Sequence, residues 1–227
     1  MKKIIFTFFI SLFVLTAFSQ RLKQATFPNG SSLAYFSFVT DQGVLIRLSE
    51  YGQVLEWGYE RMSFRYNYYA PELQPFMGRV EYFGPEADSV FRGKLRSIGT
   101  CFFTYFGAYE SESRPGKLRT IGSVLLDYYS DFDNKAYSGK LKFAGTLKLE
   151  YYSSFEDPIL RGKLKSIGNT PIKYHNSFDD KSIQGRIKSI GSFSYTWYTS
   201  FDITGYPGSL KTGSYRQDIG GVTYILR

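Results

Sequence analysis

The sequence predicts an all-β protein, built as an antiparallel array of β-hairpins, and three observations support this. A Gly-led segment recurs every 23 residues, apolar and polar side chains alternate with period two inside each unit, and strand-forming aromatic residues make up 19% of the 227 residues. Charged residues make up 21%, a balance that excludes a charge-rich disordered chain. We expect one long twisted or rolled sheet, with a β-solenoid or a closed barrel as the alternative.

The first 19 residues have the pattern of a secretory signal peptide. Lys2 and Lys3 precede an apolar run that ends in Ala17-Phe18-Ser19, with small residues at the −3 and −1 positions. The run is shorter than the roughly 20 residues that a spanning helix needs. We therefore expect an exported protein that is periplasmic, associated with the outer membrane or extracellular. Removing the two lysines lowers the formal net charge from +8 to +6.

A repeat array occupies residues 93–227. The segment GKLRSIG at Gly93 returns as GKLRTIG, GKLKFAG, GKLKSIG, GRIKSIG and GSLKTGS at Gly116, Gly139, Gly162, Gly185 and Gly208. Each step is 23 residues, which gives five full units and a partial sixth. Positions within a unit are numbered here from this glycine as zero.

Each unit predicts a short strand and a longer strand, separated by the glycine at position 6. Positions 2, 8, 10, 12 and 16 are mostly large and apolar, whereas positions 1, 3, 11, 15 and 17 are mostly charged or hydroxylic. The apolar positions should share one face, which curling, closure or a partner must cover. Ile98, at position 5, would lie on the opposite face from Leu95 unless a β-bulge at the intervening Ser or Thr reverses it.

The charges favour hairpins over a solenoid. Parallel coils would stack the position 3 cations about 4.8 Å apart, whereas a hairpin array separates equivalent positions by about 10 Å and brings acids alongside. The expected pairs join position 17 of one unit to position 1 of the next. They are Glu110 with Lys117, Asp133 with Lys140, Glu156 with Lys163 and Asp179 with Arg186.

Residues 20–92 are predicted to be an irregular β part of the same domain. Residues 52–58 and 78–84 resemble decayed copies of the Gly-led segment. Residues 32–39, 44–48 and 62–69 are further predicted strands, with a turn at Asp41-Gln42-Gly43 between the first two. No Ser-rich or Pro-rich linker separates this part from the array, so its atypical units are expected to serve as a cap.

The repeat is similar to two known kinds of short β-hairpin repeat. Its 23-residue length, leading glycine and interleaved aromatics resemble MORN-type repeats, and Phe132-Asp133 ahead of Gly139-Lys140-Leu141 resembles the tyrosine-aspartate repeats of secreted shell proteins. The resemblance covers residues 93–207. The MORN-type likeness implies an antiparallel hairpin array with a role in scaffolding or attachment to membrane lipids.

The sequence offers little for catalysis, so we expect no catalytic residues, metal or cofactor, and no enzymatic activity. Cys101 is the one cysteine and is expected to be a buried hydrophobe, and the one histidine, His175, stands where other units have an aromatic ring. The alternative is a glycan-active enzyme with a site in residues 20–92. Its carboxylates would be two of Glu56, Glu60, Glu72, Glu81, Glu86 and Asp88.

The candidate binding residues are the cations at position 3 and the aromatic residues at position 13. They are Arg96, Arg119, Lys142, Lys165, Lys188 and Lys211, with Tyr129, Tyr152, His175 and Tyr198. Regularly spaced charges beside ring faces fit an extended anionic partner. We expect a non-catalytic protein of the bacterial envelope that binds an acidic glycan or lipid headgroups and no nucleic acid. The alternative is an assembly protein that docks an envelope protein, and the sequence leaves the oligomeric state open.

Overall fold

The computed structural model describes residues 20–61, 72–110 and 114–226. It is all-β, with 20 strands and a single 3-10 turn at Pro28–Gly30 among these residues. The strands form a seven-stranded sheet, an eleven-stranded sheet and a two-stranded sheet, none of which closes on itself. The predicted signal peptide and the predicted strand at residues 62–69 lie outside the described residues.

The eleven-stranded sheet is the repeat array. Its strands in chain order are β6 (Val80–Tyr82), β7 (Leu95–Ile98), β8 (Cys101–Tyr105), β9 (Leu118–Ile121), β10 (Val124–Tyr128), β11 (Leu141–Ala144), β12 (Leu147–Tyr151), β13 (Leu164–Ile167), β14 (Thr170–Tyr174), β15 (Ile187–Ile190) and β16 (Phe193–Ser194). Each is antiparallel to the next, which confirms the hairpin array and excludes the solenoid. The pair β17 (Thr196–Trp197) and β18 (Leu210–Thr212) joins the fifth unit to the sixth with the same bulged register.

Glycines close both kinds of turn in the unit. Gly99 and its equivalents at position 6 are the first central residue of a two-residue hairpin loop and have φ values between +52° and +62° in the five full units. A first central glycine is what a type II′ turn requires. Gly93 and its equivalents at position 0 have φ between +69° and +83°, where a side chain would be strained.

A β-bulge in each unit explains why positions 2 and 5 are both buried. Tyr105 pairs with Leu118 and Thr104 pairs with Thr120, so Arg119 at position 3 is left without a partner on the neighbouring strand. The sequence had suggested the Ser or Thr at position 4 as the site of a bulge. The structure places the bulge one residue earlier, on the cation at position 3. The extra residue points the cation outward and returns Ile121 to the core beside Leu118.

The array begins half a unit earlier than the glycine motif indicates. Val80 pairs with Ile98 and Tyr82 with Leu95, in the register that β8 makes with β9. Phe83 then bonds to the backbone of Lys94 as position 13 does in later units. The interpretation of residues 78–84 as a Gly-led copy was therefore wrong, because they form the second strand of a unit.

The seven-stranded sheet combines strands from both ends of the described chain, residues 21–74 and 216–226. Its order is β19 (Arg216–Ile219), β20 (Val222–Leu226), β1 (Arg21–Phe27), β2 (Tyr35–Val39), β3 (Leu45–Leu48), β4 (Val54–Glu60) and β5 (Leu73–Gln74). All pairs are antiparallel except β1 with β20. Residues 52–58, the other expected Gly-led copy, belong to this sheet through β4. The second half of the sixth unit, which forms β19 and β20, therefore belongs to this sheet and not to the array.

The two sheets share one continuous apolar core. Leu118 and Ile121 of the array belong to the same buried cluster as Phe36 and Phe38 of the seven-stranded sheet. The apolar face of the array is therefore covered by other parts of the same chain. A covered face needs neither closure nor a partner protein, which removes the reason for expecting a barrel.

Candidate binding surface

An aromatic ladder runs along the loop edge of the array. It consists of the residues at positions 12 and 13. Four of the rings at position 13 make an edge-to-face contact with the ring at position 12 of the next unit, at centroid distances of 5.9 to 6.1 Å. The contacts join Phe83 to Tyr105, Phe106 to Tyr128, Tyr129 to Tyr151 and Tyr152 to Tyr174. The ladder fixes the spacing of neighbouring units.

Hydrogen bonds hold the ladder rings in place. The Tyr128 hydroxyl donates to the Leu118 carbonyl in its own unit at 2.7 Å, and the Tyr129 hydroxyl donates to the Leu149 carbonyl in the next unit at 2.9 Å. Burial raises the pKa of Tyr129 to about 12, with smaller contributions from nearby Tyr137, Glu150 and Asp133. The hydroxyls of Tyr128 and Tyr129 therefore act as donors at neutral pH.

The position 1 cations form an inner cation row on the core side of the ladder. The row consists of Lys94, Lys117, Lys140, Lys163 and Arg186. Each cation lies 4.9 to 5.3 Å from the centre of the position 12 ring in its own unit. Each of the first three also donates to the carbonyl at position 0 of the next unit. This row ties neighbouring units together.

The position 3 cations form an outer cation row, and these are the predicted binding residues. Five of the six lie over the position 13 ring of the preceding unit, at 5.2 to 6.0 Å from its centre. They are Arg96 over Phe83, Arg119 over Phe106, Lys142 over Tyr129, Lys165 over Tyr152 and Lys211 over Tyr198. Lys188 is the sixth, and the position 13 residue of the unit that precedes it is His175. The structure thus brings the predicted cations and rings together.

The rings of this surface are less accessible than the cations. Tyr129 is buried, and Tyr152, His175 and Tyr198 are half-buried, whereas all the outer cations are exposed except the half-buried Lys142. The surface therefore presents to solvent a line of positive charges that pack on aromatic rings. Equivalent cations are about 10 Å apart, because two strand spacings separate them.

Two of the acids at position 17 pair with the outer row, and not with the inner row that was expected. Glu156 contacts Lys165 at 2.9 Å and Asp202 contacts Lys211 at 2.6 Å, whereas Glu156 was expected to pair with Lys163. The expected partner Lys140 pairs instead with Glu50 of the seven-stranded sheet, at 2.9 Å. The bulge accounts for the difference, since it turns position 3 and not position 1 toward the acid.

Acids at position 17 cap a turn in four of the five full units. The carboxylates of Asp133, Glu156, Asp179 and Asp202 accept the backbone N–H at position 14, at 2.6 to 2.8 Å. A hydrogen bond from Lys211, with others from Thr199, lowers the pKa of Asp202 to about 2. For Glu156, burial acts to raise the pKa, but hydrogen bonds from Lys165 and Ser153 outweigh it and the pKa is lowered.

Hydrogen bonds between neighbouring turns keep them in register. Asp157 at position 18 accepts from the backbone N–H of Ser177 at 2.9 Å and from its hydroxyl at 2.6 Å, and Asp180 accepts from Ser200 in the same way. Asn134 accepts from the backbone N–H of Ser154 at 3.0 Å and donates its amide to the Ser154 hydroxyl at 2.9 Å. Ser177 belongs to the next unit. The turns therefore form a fixed ladder of their own at the outer edge of the array.

The tip aromatics at position 16 project from these turns into solvent. They are Tyr109, Phe132, Phe155, Phe178 and Phe201, and each is between 86% and 103% exposed. The expectation that position 16 shares the buried face was wrong, because the residue lies in the turn beyond the end of the strand. Five exposed rings in five units form a regular row beside the outer cation row, a feature typical of an interaction surface.

A shallow groove of about 600 Å³ crosses the middle of the outer row. Lys142 and Lys165 line it together with Tyr137, Lys148 and Glu150. Lys148 pairs with Glu150 at 2.6 Å, so the groove carries both signs of charge with the cations in excess. The residues that line it belong to three neighbouring units.

Several of the residues considered for catalysis are buried or paired with a cation. Cys101 is fully buried, and its pKa is raised to about 12 by burial and, less strongly, by Asp41. Glu56 pairs with Arg47, Glu60 with Arg216 and Glu81 with Arg79. Among the described residues, no group of three or more His, Cys, Asp or Glu side chains is placed to hold a metal ion.

No family model, characterised protein or solved structure matches the chain. The fold and the surface define a β-hairpin repeat protein with two cation rows that flank an aromatic ladder. Within the described part of the chain, no helix is long and apolar enough to cross a membrane.

Proposed function

We propose that this is an exported, non-catalytic binding protein of the bacterial envelope, and that its outer cation row binds an extended acidic polysaccharide. The observation that carries the proposal is the repeated placement of an outward-pointing cation over a ring, once per unit along the array. A polymer with acidic groups along its length can contact several such cations at once, and many weak contacts then add to a useful affinity.

The exposure of the outer-row cations supports this proposal. Arg96, Arg119 and Lys188 are exposed and have no ion pair among the described residues, so their charges are available to a ligand. The ladder rings and the bulge restrict their movement, which reduces the entropy lost on binding. The net positive charge of the chain also favours encounter with an anionic polymer.

The test removes three outer cations and measures retention on immobilised polygalacturonate. We expect the triple variant Lys142→Gln, Lys165→Gln, Lys188→Gln to bind roughly 10- to 100-fold more weakly, since each cation near an anionic surface contributes about 1 kcal/mol. The control is the triple variant Lys135→Gln, Lys173→Gln, Lys181→Gln, which makes the same change in net charge at exposed lysines outside the row. This control variant should be retained about as strongly as the unmodified chain.

Two results would contradict the proposal. Equal retention of both triple variants would show that net charge alone is responsible, and retention that does not respond to salt would exclude an electrostatic contact. Salt-sensitive retention on vesicles of anionic lipid, with none on polygalacturonate, would assign the outer row to lipid headgroups instead.

The tip aromatics favour assembly with protein as a second candidate function. Exposed rings in a fixed row bury apolar area when they meet another protein surface, or a second copy of the chain. Light scattering of the purified chain distinguishes the two functions. A defined oligomer that Phe155→Ser with Phe178→Ser converts to monomer would support assembly, whereas a compact monomer would oppose self-assembly.

A further inference from the structure

A cleft of about 700 Å³ lies between the seven-stranded sheet and the beginning of the array. The turn before β4 contributes Gln53 to one wall and β4 contributes Trp57. The opposite wall holds Tyr82 together with Lys94 and Lys117, the first two members of the inner cation row. The volume is within the range of pockets that hold small organic ligands, and none of the described residues that line it is a carboxylate.

These two lysines differ from the rest of the inner row. Lys140 has an ion pair with Glu50 at 2.9 Å, and Lys163 donates to the hydroxyls of Ser31 and Ser32 at 3.2 and 3.0 Å. Both sets of partners come from loops of the seven-stranded sheet. No ion pair to Lys94 or Lys117 is present among the described residues, because the cleft separates this part of the row from that sheet.

Each of the two ammonium groups can still bind an anion. Lys94 donates to the carbonyl of Gly116, and Lys117 donates to the carbonyl of Gly139 at 2.5 Å. A lysine has three donors, so two remain on each ammonium group. Burial lowers the pKa of both lysines, and Asp131 opposes the effect at Lys117 only in part. A half-buried cation without a counter-ion gains more from an anionic ligand than an exposed one does.

We propose that the cleft is a second binding site, which takes a short segment of an acidic sugar chain. Acidic groups of the sugar contact Lys94 and Lys117, which are one repeat or about 10 Å apart. Its sugar rings pack against the ring faces of Trp57 and Tyr82, which also contact each other at 6.3 Å. The choice of a sugar acid as ligand rests on the proposed function, whereas the cleft and its two unpaired lysines do not.

Trigalacturonate is the probe, and its binding is measured by calorimetry and by tryptophan fluorescence. The chain has two tryptophans; Trp57 lines the cleft, and Trp197 is buried in the fifth unit with its indole N–H bonded to Ile187. We expect saturable binding that changes the emission of Trp57. Maltotriose, which has the same number of rings and no charge, should give no signal.

Two variants test the assignment. Lys94→Met with Lys117→Met should weaken trigalacturonate binding at least tenfold. Because these lysines also bond the backbone, Gln53→Glu provides a variant that removes no described contact: Gln53 is exposed and its side chain makes no described hydrogen bond. The added carboxylate should repel the probe and weaken binding by a similar factor, while the triple variant at Lys135, Lys173 and Lys181 should bind normally.

The outcomes separate this proposal from the proposed function. Absence of trigalacturonate binding to the unmodified chain, or binding that Gln53→Glu leaves unchanged, would overturn the cleft site. Loss of binding in the outer-row triple variant, with no loss in the cleft variants, would place the probe on the outer row and also overturn it. Trigalacturonate binding without retention on polygalacturonate would support the cleft and contradict the outer row.

Discussion

The inner and outer cation rows lie two residues apart in every unit, yet they have different environments. Lys140 of the inner row has a side chain that is 9% exposed, and it contacts Glu50 and the Gly162 carbonyl. Lys165 of the outer row is 47% exposed and contacts Glu156. Both rows lie over ladder rings at similar distances. The comparison shows that a repeated charge can be structural or available to a ligand, and that burial and partners decide which.

The bulge is the physical reason for the difference. Position 1 precedes it and faces the seven-stranded sheet, whereas position 3 is the bulged residue and turns to the opposite side. A buried cation must be compensated by partners inside the protein, because its desolvation is otherwise costly. An exposed cation has no such requirement and can exchange its partner for a ligand.

The largest expected effect comes from removing one buried member of the inner row. Lys140→Met should lower the free energy of unfolding by about 3 kcal/mol, because it leaves the Glu50 carboxylate and the Gly162 carbonyl without their donor. Lys142→Met, two residues on in the outer row, should change it by less than about 1 kcal/mol. Urea unfolding of both variants measures the difference. Equal losses of stability would remove the distinction between the rows.

The repeat made the array itself predictable from sequence. Period-two alternation, the glycines at positions 0 and 6 and the charge argument are local signals, and they correctly indicated antiparallel hairpins. A bulge was one of two alternatives that the sequence left open, because Leu95 and Ile98 could not otherwise share a face. Its exact residue was not predictable, since either Arg96 or Ser97 satisfies the pattern. The acid pairs were misassigned for the same reason.

Which part of the chain covers the apolar face of the array depends on long-range contacts that sequence patterns do not show. The parallel pairing of β1 with β20 joins residues about 200 positions apart, as Gln24 with Thr223 illustrates. Phe155 and its equivalents looked like core residues because they are apolar and recur. The Ser, Asn or Thr at position 14 and the acid at position 17, on either side of the tip residue in four units, are a turn signature that would have identified the exposed tips. The cleft has no local signal, because it depends on how the two sheets pack.

The smaller expected effect is an exchange of partners in the outer row at low pH. The pKa of Asp202 is lowered to about 2 and that of Glu156 is also lowered. A lowered carboxyl pKa stabilises the folded state above the pKa of the unfolded chain, and this contribution is lost as the pH falls through the folded-state value. Stability should therefore begin to fall as the pH drops below about 4. Lys165 and Lys211 should be released from their acids only as the pH falls through the lowered folded-state pKa values, which for Asp202 means a pKa of about 2.

Glu156→Gln reproduces that release at neutral pH for one cation. The amide keeps the size of the side chain but removes the charge that Lys165 pairs with, so retention on immobilised dextran sulfate should increase up to about fivefold at low salt. Dextran sulfate is chosen because it stays charged in acid. The control is Glu156→Gln combined with Lys165→Gln, which should show no gain. Unchanged retention of the single variant would mean that Lys165 does not face the polymer, which would restrict the binding surface to Arg96, Arg119 and Lys188, the exposed members of the row without a described acid partner.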